Sequence, residues 1–144
     1  EDLGIALCDA IQQWHATQFA KIVQCDGTTM DKLELYINGV FRYACERNKI
    51  CPLSSLQADI TSLPEAMRPA LKKLDQHELE FISSLLQQGR DSGEFQFAGD
   101  SHSQAILVVL ACKGALQYSR VHGQSMFEQT MTQMKILLVN QAVA

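Results

Sequence analysis

The side chains with chemistry to offer in this 144-residue chain are five cysteines, four histidines and sixteen acidic residues. The cysteines, Cys8, Cys25, Cys45, Cys51 and Cys112, are odd in number and form no C-x-x-C pair. That argues against a disulfide framework and a structural zinc site, and it fits a reducing cytoplasm. A di-iron carboxylate bundle needs Glu-x-x-His pairs facing inward. Glu46, Glu65, Glu94 and Glu128 each lack a histidine three residues on. His15, His77, His102 and His122 are scattered one to a helix or terminus and offer no converging ligand set. No Gly-rich phosphate loop, nucleophile elbow or kinase motif is present. The expectation is therefore no enzyme, no cofactor and no metal.

Two of these residues hold positions where their chemistry could still matter. Cys51 stands immediately before Pro52 at the entry to a short amphipathic helix. A thiol there feels the positive end of the helix dipole, which favours thiolate; an inert cysteine packed behind Pro52 is the alternative. His77 follows Leu74 by three residues and precedes Phe81 by four, so it shares their face. It is either a satisfied core histidine or a hydrogen-bonding handle in a cavity.

The elements that must position these groups are helices throughout. Leu3, Leu7, Ala10, Ile11 and Trp14 begin a stripe that Phe19, Ile22 and Val23 continue until Asp26-Gly27 breaks it. Thr29 is placed to cap a second helix with the stripe Leu33, Ile37, Val40, Phe41, Ala44 and Cys45. Pro52 opens a third helix, ending near Ser62. Ser62 and Glu65 have capping-box spacing ahead of a long fourth helix with the stripe Met67, Leu71, Leu74, Phe81 and Leu85, and Pro69 predicts a kink or restart in it. Asp100 caps a fifth helix that Gly123 ends; Ser125 and Glu128 open a sixth with the stripe Phe127, Met131, Met134 and Leu138. Phe95-Gln96-Phe97 alternates, but three residues between glycines make a loop. The fold class predicted is all-α, one domain over residues 1–144 with about six helices.

With 47% hydrophobic residues the chain can bury a real core. A net charge of −4 and no basic cluster longer than Lys72-Lys73 leave these residues without a grip on DNA. No run approaches the ~18 apolar residues of a membrane span.

The apolar faces of the first, second, fourth and fifth helices must meet, and a kink at Pro69 would keep them from closing fully. The predicted result is a mostly apolar pocket walled by Trp14, Phe41, Cys45, Phe81 and Leu85, with Cys112 and Leu116 from the fifth helix and His77 as its polar contact. Small residues on the fifth helix, Ala111, Gly114, Ala115 and Ser119, and methionines on the sixth leave a surplus apolar face that suggests a partner subunit.

Three stretches together resemble the C-terminal half of TetR-like transcriptional regulators. Glu1-Asp2-Leu3-Gly4 is similar to the tail of the family's DNA-binding segment. Cys51-Pro52-Leu53 with Leu56 and Asp59 is similar to its "G-C-L…L…E" entry into a short helix, and Gly114 to Val121 to its "Q-G-A-L-x-x-A-R-V" helix. Leu86 to Phe95 falls in the family's order as well; Ile50 in place of glycine and the interruption at Pro69 depart from it. The resemblance implies an effector-binding and dimerisation domain of a transcriptional repressor. A small organic effector would bind among the central helices and release operator DNA held by an N-terminal helix-turn-helix, of which residues 1–4 would be the last part. It also implies a homodimer whose four-helix interface comes from the last two helices, with Ala115, Tyr118, Ser119, Phe127, Met131, Met134 and Leu138 as candidate interface residues. Some similar members respond to electrophiles through a cysteine at the position of Cys51. A helical interaction module without a ligand is the alternative reading.

Overall fold

The computed structural model of the chain describes residues 2–42 and 50–139, which form six α-helices and no strand. They are α1 (Asp2–Gln24), α2 (Thr29–Phe41), α3 (Pro52–Ala58), α4 (Arg68–Asp91), α5 (Ser101–His122) and α6 (Gln124–Val139), with a short 3-10 turn (Glu65–Met67) leading into α4. α5 makes the most extensive packing, with α4 on one side and α6 on the other, and α1, α2 and α3 each pack on α4. No described helix is long and apolar enough to cross a membrane.

Local chemistry sets the helix boundaries. α2 is capped by Thr28, one residue before the one its sequence suggested. The Thr28 hydroxyl accepts from Asp31 N–H at 3.1 Å, and the Asp31 carboxylate accepts from Thr28 N–H at 2.8 Å. Thr29 and Met30 instead donate their N–H groups to the Glu94 carboxylate, each at 3.1 Å, so a distant loop completes the cap. The sequence-predicted box at Ser62 and Glu65 does not cap α4: Pro64 leads into the 3-10 turn without a side-chain bond. The helix restarts at Arg68 with Pro69 in its first turn, where a missing N–H costs nothing. Asp100 caps α5 through Ser103 N–H at 2.8 Å. Gly123, at φ +88°, turns the chain from α5 straight into α6. Glu128 there accepts from the Gln124 amide at 2.7 Å.

Two apolar clusters form the interior. The larger joins Leu33, Ile37, Ile82, Leu86, Val108, Met131 and Leu138 from α2, α4, α5 and α6, and it takes in Phe95 and Phe97 from the loop after α4. That loop is tied down by Gln96 N–H, which donates to the Leu138 carbonyl at 2.8 Å. A Cβ at position 89 would overlap the Phe95 ring, so only glycine allows the ring to lie against α4. The smaller cluster gathers Cys8, Leu53, Met67, Leu71 and Leu74 between α1, α3 and the start of α4. On α1 the inward stripe is Cys8, His15, Phe19 and Ile22, while Leu3, Leu7 and Trp14 are exposed. Phe19 and Ile22 of the predicted stripe pack inward and Ile11 lies against the smaller cluster, while Cys8 and His15 take the inward places that the periodicity had given to Leu7 and Trp14.

Candidate functional site

The two clusters do not merge. Between them α1, α2, α3, α4 and α5 surround a cavity of about 270 Å³. Ala10, Ile11, Trp14 and His15 come from α1, and Tyr36 and Val40 from α2. Cys51, Pro52 and Leu53 close one side at the start of α3. Glu78 of α4 and Cys112, Lys113 and Leu116 of α5 form the far wall. A wider cleft of about 550 Å³ adjoins it between α1 and α2, sharing Trp14, His15, Tyr36, Val40 and Glu78 and adding the polar Gln18, Lys21, Asn38 and Arg42.

Among the described residues the wall is apolar except for His15 and one connected set of polar groups. Glu78, only 6% exposed, follows Leu74 by four residues and precedes Ile82 by four, so α4 presents a carboxylate where an apolar residue would continue the core. Its Oε1 accepts from the Tyr36 hydroxyl at 2.8 Å. Its Oε2 faces Lys113 Nζ at 2.9 Å. Lys113 also reaches Asp75 Oδ1 at 3.5 Å, and Gln57 of α3 donates to the same oxygen. One network thereby links α2, α3, α4 and α5. Burial disfavours a charged Lys113, but the Glu78 and Asp75 carboxylates outweigh it and hold the ammonium's pKa above the ordinary lysine value. Burial, with Glu78 adding to it, pushes the Tyr36 hydroxyl well above the usual tyrosine value. The same two causes push the Cys112 thiol up to about 12. Burial lowers the pKa of His15; the Glu78 charge opposes this, and His77 and Lys113 reinforce it. His15 is thus a neutral ring at the cavity wall, with Nδ1 unpaired.

Of the residues the sequence assigned to a pocket, Trp14, Cys112 and Leu116 line this cavity. Four others do not, because each is committed to packing elsewhere. Phe41 lies against Phe127 with ring centroids 4.9 Å apart, and Phe81 stacks on Phe19 at 4.0 Å. Leu85 is fully buried, and His77 rests on the Phe19 ring with its Nε2 buried and unpaired. Cys45 lies outside the described residues. Cys51 is half-buried at the cavity edge and at the N-cap of α3, with no side-chain capping bond.

The residues assigned to a subunit interface divide in the same way. Phe127, Met131, Met134 and Leu138 are buried inside the subunit, turned toward α5 and α2 rather than toward a partner. Ala115 and Ser119 are buried too, and the Ser119 hydroxyl donates to the Ala115 carbonyl at 2.6 Å. Tyr118 alone of that set is exposed, and it belongs to a different stripe. Leu107, Leu110, Tyr118 and Val121 are 61–81% exposed and recur three, four or eight residues apart along one face of α5, with Gly114 among them. Ile136 and Leu137 are exposed on α6.

The polar network was missed in the sequence, although Glu78 left a signal. Leu71, Leu74, Glu78, Ile82 and Leu85 are one inward stripe, and a carboxylate in its middle marks a buried polar site.

An all-α domain with a cavity between its central helices and an outward apolar face on its last two defines a class, and comparison with known proteins agrees with it. The family model "Tetracyclin repressor-like, C-terminal domain" matches residues 29–134, and the chain belongs to that family. A TetR-family transcriptional regulator from Agrobacterium tumefaciens superposes with a TM-score of 0.89 at 18% identity, covering 96% of this chain and 74% of that one. The reduced form of NemR from E. coli gives 0.85 at 21%, covering 97% and 75%. The regulatory protein TetR from Rhodobacter sphaeroides gives 0.86 at 16%, covering 96% and 75%. At these identities the likeness is one of fold. No curated protein matches the chain at a significant level.

Proposed function

We propose that this domain senses a small organic effector in the cavity between α1, α2, α3, α4 and α5, and that occupancy releases operator DNA from an N-terminal DNA-binding domain. The observation that carries the reading is the cavity itself: about 270 Å³, apolar, with a buried Tyr36–Glu78–Lys113 network at its wall. Empty apolar volume costs stability, ~24 cal/mol per Å³ in mutant series, so a retained cavity signals use. It supports effector sensing over a helical interaction module with no ligand. α1 lends four residues to the wall, so filling the cavity would act directly on the helix nearest a preceding domain.

Binding at a hundredfold excess over Kd would raise stability by about 2.7 kcal/mol. A thermal-shift screen of small aromatic and aldehyde-like compounds is expected to find a stabiliser that also changes the fluorescence of Trp14, the single tryptophan. Leu116→Trp, which fills the cavity, should abolish both signals. Unchanged affinity in that variant would place the ligand elsewhere. Cys51, at the cavity edge, is the candidate for reaction with electrophiles; alkylation no faster than at exposed Cys25 would remove it from that role.

The reading includes a homodimer, the state in which regulators of this family act. The apolar stripe Leu107, Leu110, Tyr118 and Val121, with Leu137 on α6, is the surface we assign to it. Light scattering should report twice the 16.0 kDa chain mass, and Leu110→Arg should halve it. A monomeric parent chain would overturn the assignment.

A further inference from the structure

A second space lies beside the cavity: the cleft of about 550 Å³ between α1 and α2. Its side walls are two helix stripes. Trp14, Gln18, Lys21 and Cys25 recur three or four residues apart on α1, and Leu35, Asn38 and Arg42 do the same on α2. From Trp14 to Cys25 the α1 wall runs about 16 Å, so the space is long. Trp14 and Leu35, 50% and 43% exposed, leave large apolar surfaces along it.

The charges of this cleft are one-sided. The chain carries a net charge of −4, yet the cleft has a cation on each wall, Lys21 and Arg42. Among the described residues neither has an ion pair or a side-chain hydrogen bond, and the acidic Glu78 in the lining is already answered by Lys113 at 2.9 Å. Gly39 is an independent sign. It stands inside α2, where glycine weakens a helix relative to alanine. A Cβ there would meet nothing, so no packing within the subunit asks for glycine. Its effect is to leave the α2 backbone bare toward the cleft.

We infer that this cleft is a ligand site separate from the cavity and that it takes an elongated organic anion. The apolar body lies against Trp14 and the bare backbone at Gly39, and the charge is answered by Lys21 and Arg42. The inference does not require the cavity to be the effector site.

Two probes, 4-biphenylacetate and 4-biphenylacetamide, share one elongated body and differ by a charge. Titrated calorimetrically into the unmodified chain at pH 7 and low salt, the acid is expected to bind about fivefold tighter than the amide, the upper worth of an exposed ion pair. The gap should shrink in about 0.5 M salt. Lys21→Gln combined with Arg42→Gln should erase it. Gly39→Leu puts a side chain into the open cleft and places a better helix former at an exposed position, so the thermal midpoint should hold. Acid affinity in that variant should fall at least about tenfold, the scale of overfilling a packed space. Gly39 does not line the cavity, so the loss would place the acid in the cleft. If Gly39→Leu failed to fold, the paired charge variant would carry the test alone. No binding of the acid, an acid no tighter than the amide, a gap untouched by the paired charge variant, or unchanged affinity in folded Gly39→Leu overturns the inference. None of these results bears on the cavity reading, which the Leu116→Trp screen decides separately.

Discussion

α4 is built on different terms along its length. From Ile82 to Gly89 it faces a core with no room to spare: Ile82 and Leu86 are fully buried, and Gly89 is bare so that Phe95 can lie against it. One to two turns earlier, around Asp75 and Glu78, the same helix faces a cavity and spends its inward positions on charge. The first region is where stability is made. The second is a seam between two apolar clusters, crossed by a buried ionic network whose charges cost desolvation. Conserving shape in one and leaving space in the other are opposite uses of one helix face.

The largest effect expected from breaking this contrast is in the dense region. Phe95→Ala removes a fully buried ring from a loop that cannot collapse onto Gly89. Urea denaturation should show a loss of about 3–5 kcal/mol. Because Phe95 does not line the cavity, the folded variant should bind a cavity ligand with unchanged affinity. A loss of affinity as large as the loss of stability would show that the two regions are not separable.

Next in size is the seam. Lys113→Met leaves Glu78 buried with only the Tyr36 hydroxyl as partner. A fully buried orphaned charge costs about 3–5 kcal/mol; the remaining Tyr36 bond should reduce this to about 2–3 kcal/mol. Replacing the whole set by Tyr36→Phe, Glu78→Leu and Lys113→Met together should recover most of that loss, since an apolar core tolerates what a half-satisfied network does not. The triple variant should nonetheless change which compounds the cavity binds, since all three side chains line it. If it were far less stable than the single variant, the network would be a structural staple rather than a device for recognition.

This division also decides what could be read in the sequence. Helix number, the caps at the Asp100 end of α5 and the Gly123 turn, and the restart at Pro69 are local effects, visible in single residues and their neighbours. The inward stripe Phe127, Met131, Met134 and Leu138 was legible too, but periodicity says only that a face is apolar, not which neighbour covers it. α5 is apolar on two faces, so the buried and exposed stripes could not be told apart by pattern. Phe95 and Phe97 lie in a loop, as their sequence suggested, but their burial was not legible because their partners lie at Gly89 and in the far helices. Lys113 hid for a different reason: a long stem lets a cationic residue sit beside a core position without breaking the apolar pattern. Of the residues the sequence placed in a pocket, Trp14, Cys112 and Leu116 line the cavity, while Tyr36, Glu78 and Lys113 were not singled out.

The smallest effect separates the two regions by pH. His15 stands at the seam with a lowered pKa, caused first by burial and then by the Lys113 and His77 charges against the opposing pull of Glu78. An unfolded chain takes up a proton at this residue as pH falls through about 6.5, while the folded chain holds it off until lower pH. The unfolded state therefore binds more protons across that window, and stability declines as pH drops from about 6.5 downward. Above the window the contribution is complete. Denaturation midpoints compared between the parent and His15→Phe should show a shallower decline in the variant over this range. In Lys113→Met the window should narrow as well, because the ammonium that repels a protonated imidazole is gone. Phe95→Ala, lying in the dense region, should lower the whole curve and leave its slope unchanged. A slope that followed Phe95→Ala and ignored Lys113→Met would move the titrating group out of the seam.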